Sequence, residues 1–386
     1  MKDLKEYQED IYKCSKCGLC QSVCPIYKAT KNESILSRGK FTILNGIINN
    51  ELKFTKNVAQ NLEMCLNCNL CKNFCPSGID AKEIFASAKN EYSKKHKPFI
   101  PKHIIEHTFL MYLIKIFGVC YRFFNVDFFV KKLQNNLIES SLGRKILLAD
   151  FLFQNKSKRK NHPNKITKYN IVFFEGCFNR FINPSSKNSS INLLEESSCK
   201  ILNIKQRCCG ISYYYYGNEE KFKQNAIKIL DSIPEDCDYI IFDCDSCISM
   251  FSKIIEYSNC KEKLKEKLIS LNDFLVKTGY KKDMPQAKVL YHKPCHNEDK
   301  EISFLSRIEA LDIKKTESCC GFSGDFGFLH NSISTEISKK NLEKYNKENY
   351  SQIITSCPSC IIGLKQGSLE NEKNLAVKQL SEFLDE

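Results

Sequence analysis

The chain has 386 residues, enough for two or three domains that each bury a hydrophobic core. Its net charge of +13 comes from lysines scattered among polar and apolar residues, which is typical of a solvated surface, so we exclude a nucleic-acid partner. The segment MKDLKEYQED has no apolar stretch, and we therefore expect no signal peptide and a cytoplasmic protein. Because the cytoplasm keeps thiols reduced, the 22 cysteines indicate metal ligation rather than disulfides.

Two cysteine runs near the amino end share the spacing C-x2-C-x2-C-x3-C-P. The first run, CSKCGLCQSVCP, contains Cys14, Cys17, Cys20 and Cys24, and the second, CLNCNLCKNFCP, contains Cys65, Cys68, Cys71 and Cys75. In such a run three cysteines bind one iron–sulfur cube and the fourth binds the other cube. The predicted ligands of the two cubane [4Fe–4S] clusters are therefore Cys14, Cys17, Cys20 with Cys75, and Cys65, Cys68, Cys71 with Cys24. Zinc, with four thiolates per ion, is the alternative.

The segment between the two runs has apolar residues at helical spacing, Ile43, Leu44, Ile47 and Ile48. We therefore predict an all-α, two-cluster ferredoxin domain over residues 1–98. A cube with four thiolates carries a charge of about −2, so two cubes offset about four of the positive charges.

The connecting region, residues 99–165, contains one apolar and one basic segment. HTFLMYLIKIFGVCYRFFNVDFFV, residues 107–130, is interrupted by Lys115, Arg122 and Asp127, so we do not expect it to span a membrane. It is either a core helix that joins the domains or a helix on the membrane surface near a quinone. KSKRKNHPNK, residues 156–165, is either an exposed interdomain linker or a contact with an anionic membrane or partner.

The rest of the chain contains one unit twice, at residues 166–283 and 284–386. YNIVFFEGC, RCCG and DYIIFDCDSC of the first unit match AKVLYHKPC, SCCG and SQIITSCPSC of the second. Short apolar runs that end at cysteine alternate with helical stretches such as EEKFKQNAIKILDSI, which predicts a duplicated α/β domain with parallel strands. Ligands of such sheets gather at the carboxyl ends of the strands, where these cysteines fall.

Each unit supplies five cysteines to its predicted metal site. The first set is Cys177, Cys208, Cys209, Cys244 and Cys247, and the second is Cys295, Cys319, Cys320, Cys357 and Cys360. Five thiolates exceed the needs of a cube, so the adjacent pair is expected to bridge or cap irons in another arrangement. A redox-active vicinal disulfide is the alternative. Cys120, Cys199, Cys237 and Cys260 fit no pattern and are expected to be buried or inert.

Two histidines, His292 and His296, flank Cys295. Either could protonate a substrate or lie beside a cluster, and a structural hydrogen-bonding role is the alternative. GFSGDFG follows no strand, and no G-x-G-x-x-G follows a strand anywhere, so we find no flavin or nicotinamide site. We therefore expect another subunit to oxidise the substrate.

The order of two C-x2-C-x2-C-x3-C-P runs and two C…CCG…CxxC units resembles the iron–sulfur subunit of glycolate oxidase over nearly the whole chain. It is also similar to the corresponding subunit of anaerobic glycerol-3-phosphate dehydrogenase and to lactate-utilisation iron–sulfur proteins, which share the pattern of HKPCH and CCGFSGDFG. The paired units resemble subunits B and D of heterodisulfide reductase, which implies noncubane [4Fe–4S] clusters held by all five cysteines. Glycolate oxidase subunits often lack a full CxxC here. Both are complete in this chain, which favours metal in both units and weakens the choice of glycolate.

The resemblance implies an iron–sulfur subunit of a 2-hydroxy-acid dehydrogenase complex of the glycolate or lactate type. Its expected cofactors are two cubane clusters and one or two further, noncubane clusters. Its expected partners are an FAD-containing dehydrogenase subunit and a quinone or a quinone-reactive membrane subunit, at the inner face of the cytoplasmic membrane. The isolated chain would be inactive on substrate. The alternatives are a catalytic disulfide reductase, a glycerol-3-phosphate dehydrogenase subunit and a zinc scaffold.

Overall fold

The structure is a computed structural model that describes residues 1–96, 116–118, 120–121, 124, 126–153, 158–160, 167–296, 311–316, 318–345 and 348–386. Most of the apolar segment 107–130 and of the basic segment 156–165 lies outside these residues.

The elements within residues 1–96 are helices. They are a 3₁₀ helix at Leu4–Tyr7, α1 (Gln8–Tyr12), α2 (Leu19–Val23), α3 (Pro25–Thr30), a 3₁₀ helix at Glu33–Ile35, α4 (Ser37–Ile48), α5 (Lys56–Glu63), α6 (Leu70–Asn73) and α7 (Ala81–Lys95). Helix α4 covers the segment whose apolar spacing predicted a helix. Its buried Phe41 and Leu44 pack with Ile84 and Phe85 of α7, so a small apolar core holds the two cysteine runs in place.

Three helices are described in the connecting region: α8 (Val126–Lys132), α9 (Gln134–Ile138) and α10 (Ser141–Phe153). Leu148, Phe151 and Leu152 of α10 pack against the core of the second cysteine-rich unit. The other side of this region is exposed, with Phe128 at 66% and Leu142 at 70% of their full accessible surface.

The first cysteine-rich unit is a four-stranded parallel sheet with helices on its connections. Its elements are β1 (Tyr169–Phe174), α11 (Cys177–Phe181), α12 (Pro184–Glu196), β2 (Cys199–Leu202), α13 (Ile211–Tyr215), α14 (Glu219–Leu230), β3 (Tyr239–Phe242), α15 (Asp245–Ile255), α16 (Lys261–Lys267), β4 (Leu268–Ser270) and α17 (Leu271–Thr278). The strand order is β2-β1-β3-β4, and Ile171 of β1 lies opposite Tyr239 of β3. Residues of the two central strands are almost fully buried, which explains their continuous apolar sequence.

The second unit repeats this topology. Its elements are β5 (Ala287–His292), β6 (Leu311–Thr316), α18 (Asp325–Leu329), α19 (Asn331–Glu343), β7 (Gln352–Thr355), α20 (Pro358–Glu370), β8 (Ala376–Gln379) and α21 (Leu380–Leu384). The strand order β6-β5-β7-β8 matches that of the first unit, and all pairings are parallel. The predicted α/β layout with parallel strands is therefore confirmed.

The two units share one hydrophobic core. Phe173 and Ile241 of the first sheet belong to the same buried cluster as Tyr291 and Ile354 of the second sheet. The packing of one sheet against the other brings the carboxyl ends of both central strand pairs to the same region.

A buried carboxylate also ties the units together. Asp243, which is 4% exposed, accepts hydrogen bonds from Ser190 of its own unit at 2.6 Å and from Ser381 of the other unit at 2.7 Å. Burial raises the pKa of Asp243 to about 6, and the serine hydroxyls oppose that rise. Because Cys244 is the next residue, this network fixes the start of the CxxC segment of the first unit.

Candidate metal centres

The two amino-terminal runs form the same loop because left-handed backbone positions recur at equivalent places. Lys16 and Gly18 have φ of 55° and 87° in the first run, and Asn67 and Asn69 have φ of 51° and 57° in the second. Glycine and asparagine adopt this conformation more easily than other residues. Each loop carries the first two cysteines of its run, and the third lies in a short helix, α2 or α6.

The fourth cysteine of each run lies among the first three of the other run. One cavity is lined by Cys71 and by the four cysteines that we call the outer set: Cys14, Cys17, Cys20 and Cys75. The remaining four interact with one another and form the inner set: Cys24, Cys65, Cys68 and Cys71. This is the exchange of fourth ligands on which the predicted cluster assignment depends.

A buried lysine accompanies the inner set. Lys40 of α4 is 1% exposed, and its ammonium donates a hydrogen bond to the Met64 carbonyl oxygen at 2.7 Å and lies 4.9 Å from the centre of the Phe85 ring. Burial lowers the pKa of Lys40, whereas the neighbouring thiols of Cys65 and Cys24 raise it. A cation at this position compensates the negative charge of a cluster held by thiolates.

All ten cysteines of the two cysteine-rich units line one cavity. They are Cys177, Cys208, Cys209, Cys244 and Cys247 of the first set and Cys295, Cys319, Cys320, Cys357 and Cys360 of the second set. The elements explain this convergence: β1, β3, β5 and β7 each end within three residues of a cysteine of these sets. Parallel strands bring distant sequence positions to one edge of the sheet, as predicted.

The paired cysteines are held in the same way in both units. Gly210 and Gly321 follow the pairs with φ of 81° and 83°, a conformation that favours glycine. Asn225 on α14 donates a hydrogen bond to the Cys208 carbonyl oxygen at 2.7 Å, and Asn341 on α19 donates one to that of Cys319 at 3.1 Å. Sequence reasoning missed both asparagines, although each lies in a helix that follows its pair.

Two contacts join the cysteine sets to one another. The Cys244 thiol of the first set lies close enough to the Cys357 thiol of the second that each shifts the pKa of the other, and Ser246 Oγ lies 3.4 Å from the Cys357 sulfur. Cys68 of the inner set packs against the buried apolar cluster that contains Cys319 of the second set, and these two thiols also shift each other's pKa. Because Cys71 of the inner set also lines the cavity of the outer set, the outer, inner, second and first sets form a continuous row.

Packing fixes the inner set against the second unit. Leu66 and Ile26 share a buried apolar cluster with Cys319 and Phe326, and Ser323 Oγ donates a hydrogen bond to the Leu66 carbonyl oxygen at 2.6 Å. The row thus depends on a folded interface between the helical region and the second unit.

Helix α7 packs on the first unit instead. Tyr214 donates a hydrogen bond to Glu83 at 2.6 Å, and Lys253 forms an ion pair with Glu83 at 3.3 Å. Asn90 donates a hydrogen bond to Glu219 at 2.9 Å. The helical region therefore contacts both units, but only its contact with the second unit joins two cysteine sets among the described residues.

Comparison with known proteins agrees with this organisation. The model of the 4Fe-4S dicluster domain matches residues 10–79, and the model of the cysteine-rich domain matches residues 171–252 and 289–365, which together cover more than half of the chain. The chain belongs to the iron–sulfur subunits that combine these domains. This iron–sulfur subunit therefore carries multiple [4Fe–4S] clusters.

Two of the similar curated proteins match most of the chain, and a third matches about half of it. The chain is 21% identical to the probable glycolate oxidase iron-sulfur subunit of Bacillus subtilis (strain 168), over 93% of this chain and 89% of that protein. It is 18% identical to the glycolate oxidase iron-sulfur subunit of Escherichia coli (strain K12), over 90% and 88%. It is also 24% identical to lactate utilization protein A of Shouchella clausii (strain KSM-K16), over 56% of this chain and 98% of that protein.

The donor atoms of this subunit fit iron–sulfur clusters. Burial raises the pKa of Cys24 to about 11 and that of Cys71 to about 12, so both thiols would remain protonated at neutral pH without a cation. Metal binding replaces such protons, and thiolate sulfur selects iron–sulfur clusters or zinc over magnesium and calcium. The inner set and its buried lysine therefore suit a cluster that needs four thiolates in a dry environment.

His292 lies beneath the second set and is fully buried. Its Nδ1 is 2.7 Å from the Thr316 hydroxyl oxygen, and one of its ring nitrogens lies within 4.8 Å of the sulfurs of Cys320 and Cys360. Phe174 occupies the corresponding place at the end of β1. The geometry places His292 away from solvent, beside Cys320 and Cys360 and hydrogen-bonded to Thr316, so a place beside a cluster and a structural hydrogen-bonding role both stay predictions. His296 lines the shared cavity.

The four cysteines outside the sets differ in exposure. Cys199 and Cys237 are buried, whereas Cys120 and Cys260 are exposed, so for these two only the prediction that the thiol is inert remains. Cys120 and Cys260 lie in or beside short helices on the surface, where no core forms around them.

The connecting region was predicted not to span a membrane and to contain an exposed basic segment. Among the described residues, no helix is both long enough and apolar enough to cross a membrane. Residues 158–160 of the basic segment are exposed, but Arg159 forms an ion pair with Glu195 at 2.7 Å and Lys160 with Asp385 at 2.6 Å. The described part of the basic segment is thus attached to both cysteine-rich units by ion pairs.

Proposed function

We propose that this chain is the electron-transfer subunit of a complex in which an FAD-containing subunit oxidises a 2-hydroxy acid and a quinone accepts the electrons. The names of the relatives support the substrate class, because they include glycolate oxidase subunits and a lactate utilization protein. The absence of a flavin or nicotinamide motif in the sequence supports a separate oxidising subunit.

The observation that carries this proposal is the continuous row of cysteine sets. Bound [4Fe–4S] clusters accept and release single electrons. The protein holds the sets close together through the Cys68–Cys319 and Cys244–Cys357 contacts and surrounds them with apolar side chains that exclude water. A catalytic subunit needs one reaction site, whereas a row of adjacent sets suits transfer of electrons between partners.

We infer the following assignment within this row. The outer and inner sets would hold two cubane clusters in an all-α domain of residues 1–98, and residues 99–165 would connect it to the units at 166–283 and 284–386. The first and second sets would each hold a noncubane cluster through all five cysteines. The number of thiols supports this, because each set has five where a cube needs four, and the thiols within each set interact strongly enough to shift one another's pKa.

We also propose that the connecting region rests on the inner face of the cytoplasmic membrane. Among the described residues of this region, eight large apolar side chains are exposed: Ile116, Phe117, Phe124, Phe128, Phe129, Leu133, Leu142 and Ile146. A surface helix of this kind buries its apolar side chains in the lipid interface. Flotation of the loaded protein with anionic lipid vesicles tests this, and a Phe128→Ser/Phe129→Ser variant that floats as well as wild type would contradict it.

The experiment that tests the main proposal uses the cluster-loaded chain with and without its flavoprotein partner. Lactate or glycolate should bleach the iron–sulfur absorbance only when the flavoprotein is present, and a soluble quinone should restore it. If glycerol 3-phosphate is the only substrate that bleaches the complex, the substrate class is wrong but the transfer role stands.

A second candidate is a catalytic disulfide reductase. The observation that favours it is that both cysteine-rich sets and His296 line one cavity, where a small disulfide could meet two clusters. Reduction of a thiol disulfide by the chain alone, given only an electron donor, would establish this activity. Failure of every disulfide tested, together with activity towards a 2-hydroxy acid in the complex, would exclude it.

A further inference from the structure

A second cavity lies next to the two cysteine-rich sets. It has a volume of about 410 Å³ and is enclosed by α10, residues 158–160, α11, α20 and the carboxyl-terminal residues. This volume is within the range of about 300–1,000 Å³ that small-molecule sites occupy. None of the cysteines lines it, so it is separate from the metal centres.

The wall between this cavity and the metal centres is one residue thick. Phe178 and Ile361 line the cavity, and they directly follow Cys177 of the first set and Cys360 of the second. Phe178 also lines the cavity of the ten cysteines. A molecule in the second cavity would therefore lie close to the ligands of both sets, at a position suited to exchange electrons with either.

The lining combines an apolar wall with one buried hydroxyl group. Phe151, Leu152 and Val377 provide apolar surface, as Phe178 does. Ser189 is 1% exposed, and its hydroxyl has no hydrogen-bond partner among the described residues. A buried hydroxyl without a partner is costly, so a ligand with an acceptor oxygen would gain a hydrogen bond here.

The mouth of the cavity disfavours an anionic ligand. Lys160 forms an ion pair with Asp385, Lys378 forms one with Glu386, and Glu382 adds a further carboxylate. Lys158 lines the cavity as well, so three lysines face three carboxylates, and a phosphate or an organic acid would find no net positive charge there. A neutral ring with carbonyl oxygens fits better than a nucleotide or a hydroxy acid.

We propose that this cavity is a quinone-binding site. The proposal deepens the proposed function and rests on it, because it names where the electron acceptor binds. Helix α10 links the cavity to the exposed apolar region: Phe151 and Leu152 line the cavity, and Leu142 and Ile146 on the same helix are exposed. A lipid-soluble molecule would thus reach the cavity from the side that we place on the membrane.

The electrons and protons of this reaction balance. Oxidation of a 2-hydroxy acid to a 2-oxo acid releases two electrons and two protons, and reduction of a quinone to a quinol takes up two of each. The chain supplies only the electrons at this site. The protons come from water at the mouth, where the Lys160 side chain is 46% and the Glu386 side chain 52% exposed.

The test measures binding of 2-heptyl-4-hydroxyquinoline N-oxide, a fluorescent quinone analogue, to the cluster-loaded chain. Leu152→Trp should fill the cavity and weaken binding by more than about tenfold, since it replaces ligand volume with a side chain. Ile146→Trp places the same side chain on the same helix outside the cavity and should bind as wild type. Ser189→Ala should weaken binding by about 3- to 10-fold through the lost hydrogen bond.

The iron content and the low-temperature magnetic signals of each variant show whether the clusters remain. If Leu152→Trp loses iron, Ser189→Ala decides the question. Normal analogue affinity in both variants, with unchanged KM for quinone in the complex, would overturn the site while leaving the proposed function intact. The expected affinity changes in a complex that no 2-hydroxy acid reduces would instead overturn the proposed function and leave the site.

Discussion

The two cysteine-rich units have the same strand order and each has five cysteines at equivalent positions, but the residues around those cysteines differ. In the first unit, Phe174 packs at the end of β1 against Phe242 and Phe251. In the second unit, His292 takes this place and lies within 4.8 Å of the sulfurs of Cys320 and Cys360. The fold therefore places the cysteines of both units in the same way. The last residue of β1 or β5, Phe174 or His292, makes the surroundings apolar in the first unit and polar in the second.

The units also differ in how the helical region meets them. Cys68 of the inner set contacts Cys319 of the second unit. The first unit instead binds α7 through side chains that belong to no cysteine set, such as Tyr214. The two copies of the domain therefore differ in their contacts with the helical region, although their folds are the same. The second unit lies between the inner set and the first unit in the row of cysteine sets.

The largest expected effect comes from the paired cysteines. Cys319→Ser or Cys320→Ser should damage the second centre, because serine replaces a thiolate poorly. Quinone reduction should fall by orders of magnitude, while the magnetic signals of the two cubane clusters persist, since their eight ligands are elsewhere. Quinone turnover and electron paramagnetic resonance spectra measure this.

The matched variants are Cys208→Ser and Cys209→Ser in the first unit. They test whether that unit lies on the same path to quinone. Wild-type iron content and quinone turnover in all four variants would show that the paired cysteines are not ligands.

The positions of the cysteines in the fold could be predicted from the sequence, because strand ends and cysteine spacing are local features. β1, β3, β5 and β7 fall within the predicted apolar runs, and the exchange of Cys24 and Cys75 follows from the spacing of the runs. The edge strands β2, β4, β6 and β8 were not predicted individually, since their short sequences mix polar and apolar residues.

Contacts between distant segments could not be predicted. Nothing in the spacing of Cys68 and Cys319 indicates that they meet, because their contact depends on how the helical region packs on the second unit. The Asp243 network, which joins Ser190 to Ser381, likewise needs both units in place. The exposure of Cys260 depends on the absence of a neighbouring core, which no local pattern encodes.

The glycines after the paired cysteines should give a smaller effect, unequal between the units. A Cβ atom at Gly321 would lie 2.9 Å from the Ser334 carbonyl oxygen, whereas one at Gly210 would lie 3.0 Å from the Phe222 ring. Backbone atoms can shift less than a side-chain ring to make room for the added Cβ. Gly321→Ala should therefore cost about 2–4 kcal/mol of folding free energy and Gly210→Ala about 1–2 kcal/mol. Melting temperatures of the loaded proteins measure the difference, and equal losses would refute the ranking.

The smallest expected effect concerns His292. His292→Phe copies the first unit and removes a hydrogen-bond donor near the thiolates, so the reduction potential of the second centre should fall by the equivalent of about 1 kcal/mol. His292→Gln keeps an N–H donor and should keep most of the potential. Redox titration followed by electron paramagnetic resonance gives both values, and a loss of iron without any shift in potential would indicate a purely structural histidine.

The central claim is that the inner set and the second set are adjacent members of one row. Low-temperature electron paramagnetic resonance of the fully reduced chain tests it most directly, because neighbouring paramagnetic clusters broaden each other's signals. We expect the inner-cluster signal to be broadened by the clusters on both sides of it, and the part of the broadening that the second centre causes to be lost in Cys319→Ser and kept in Cys208→Ser. An inner-cluster signal that is unbroadened in the wild type, or that changes equally in both variants, would contradict the account.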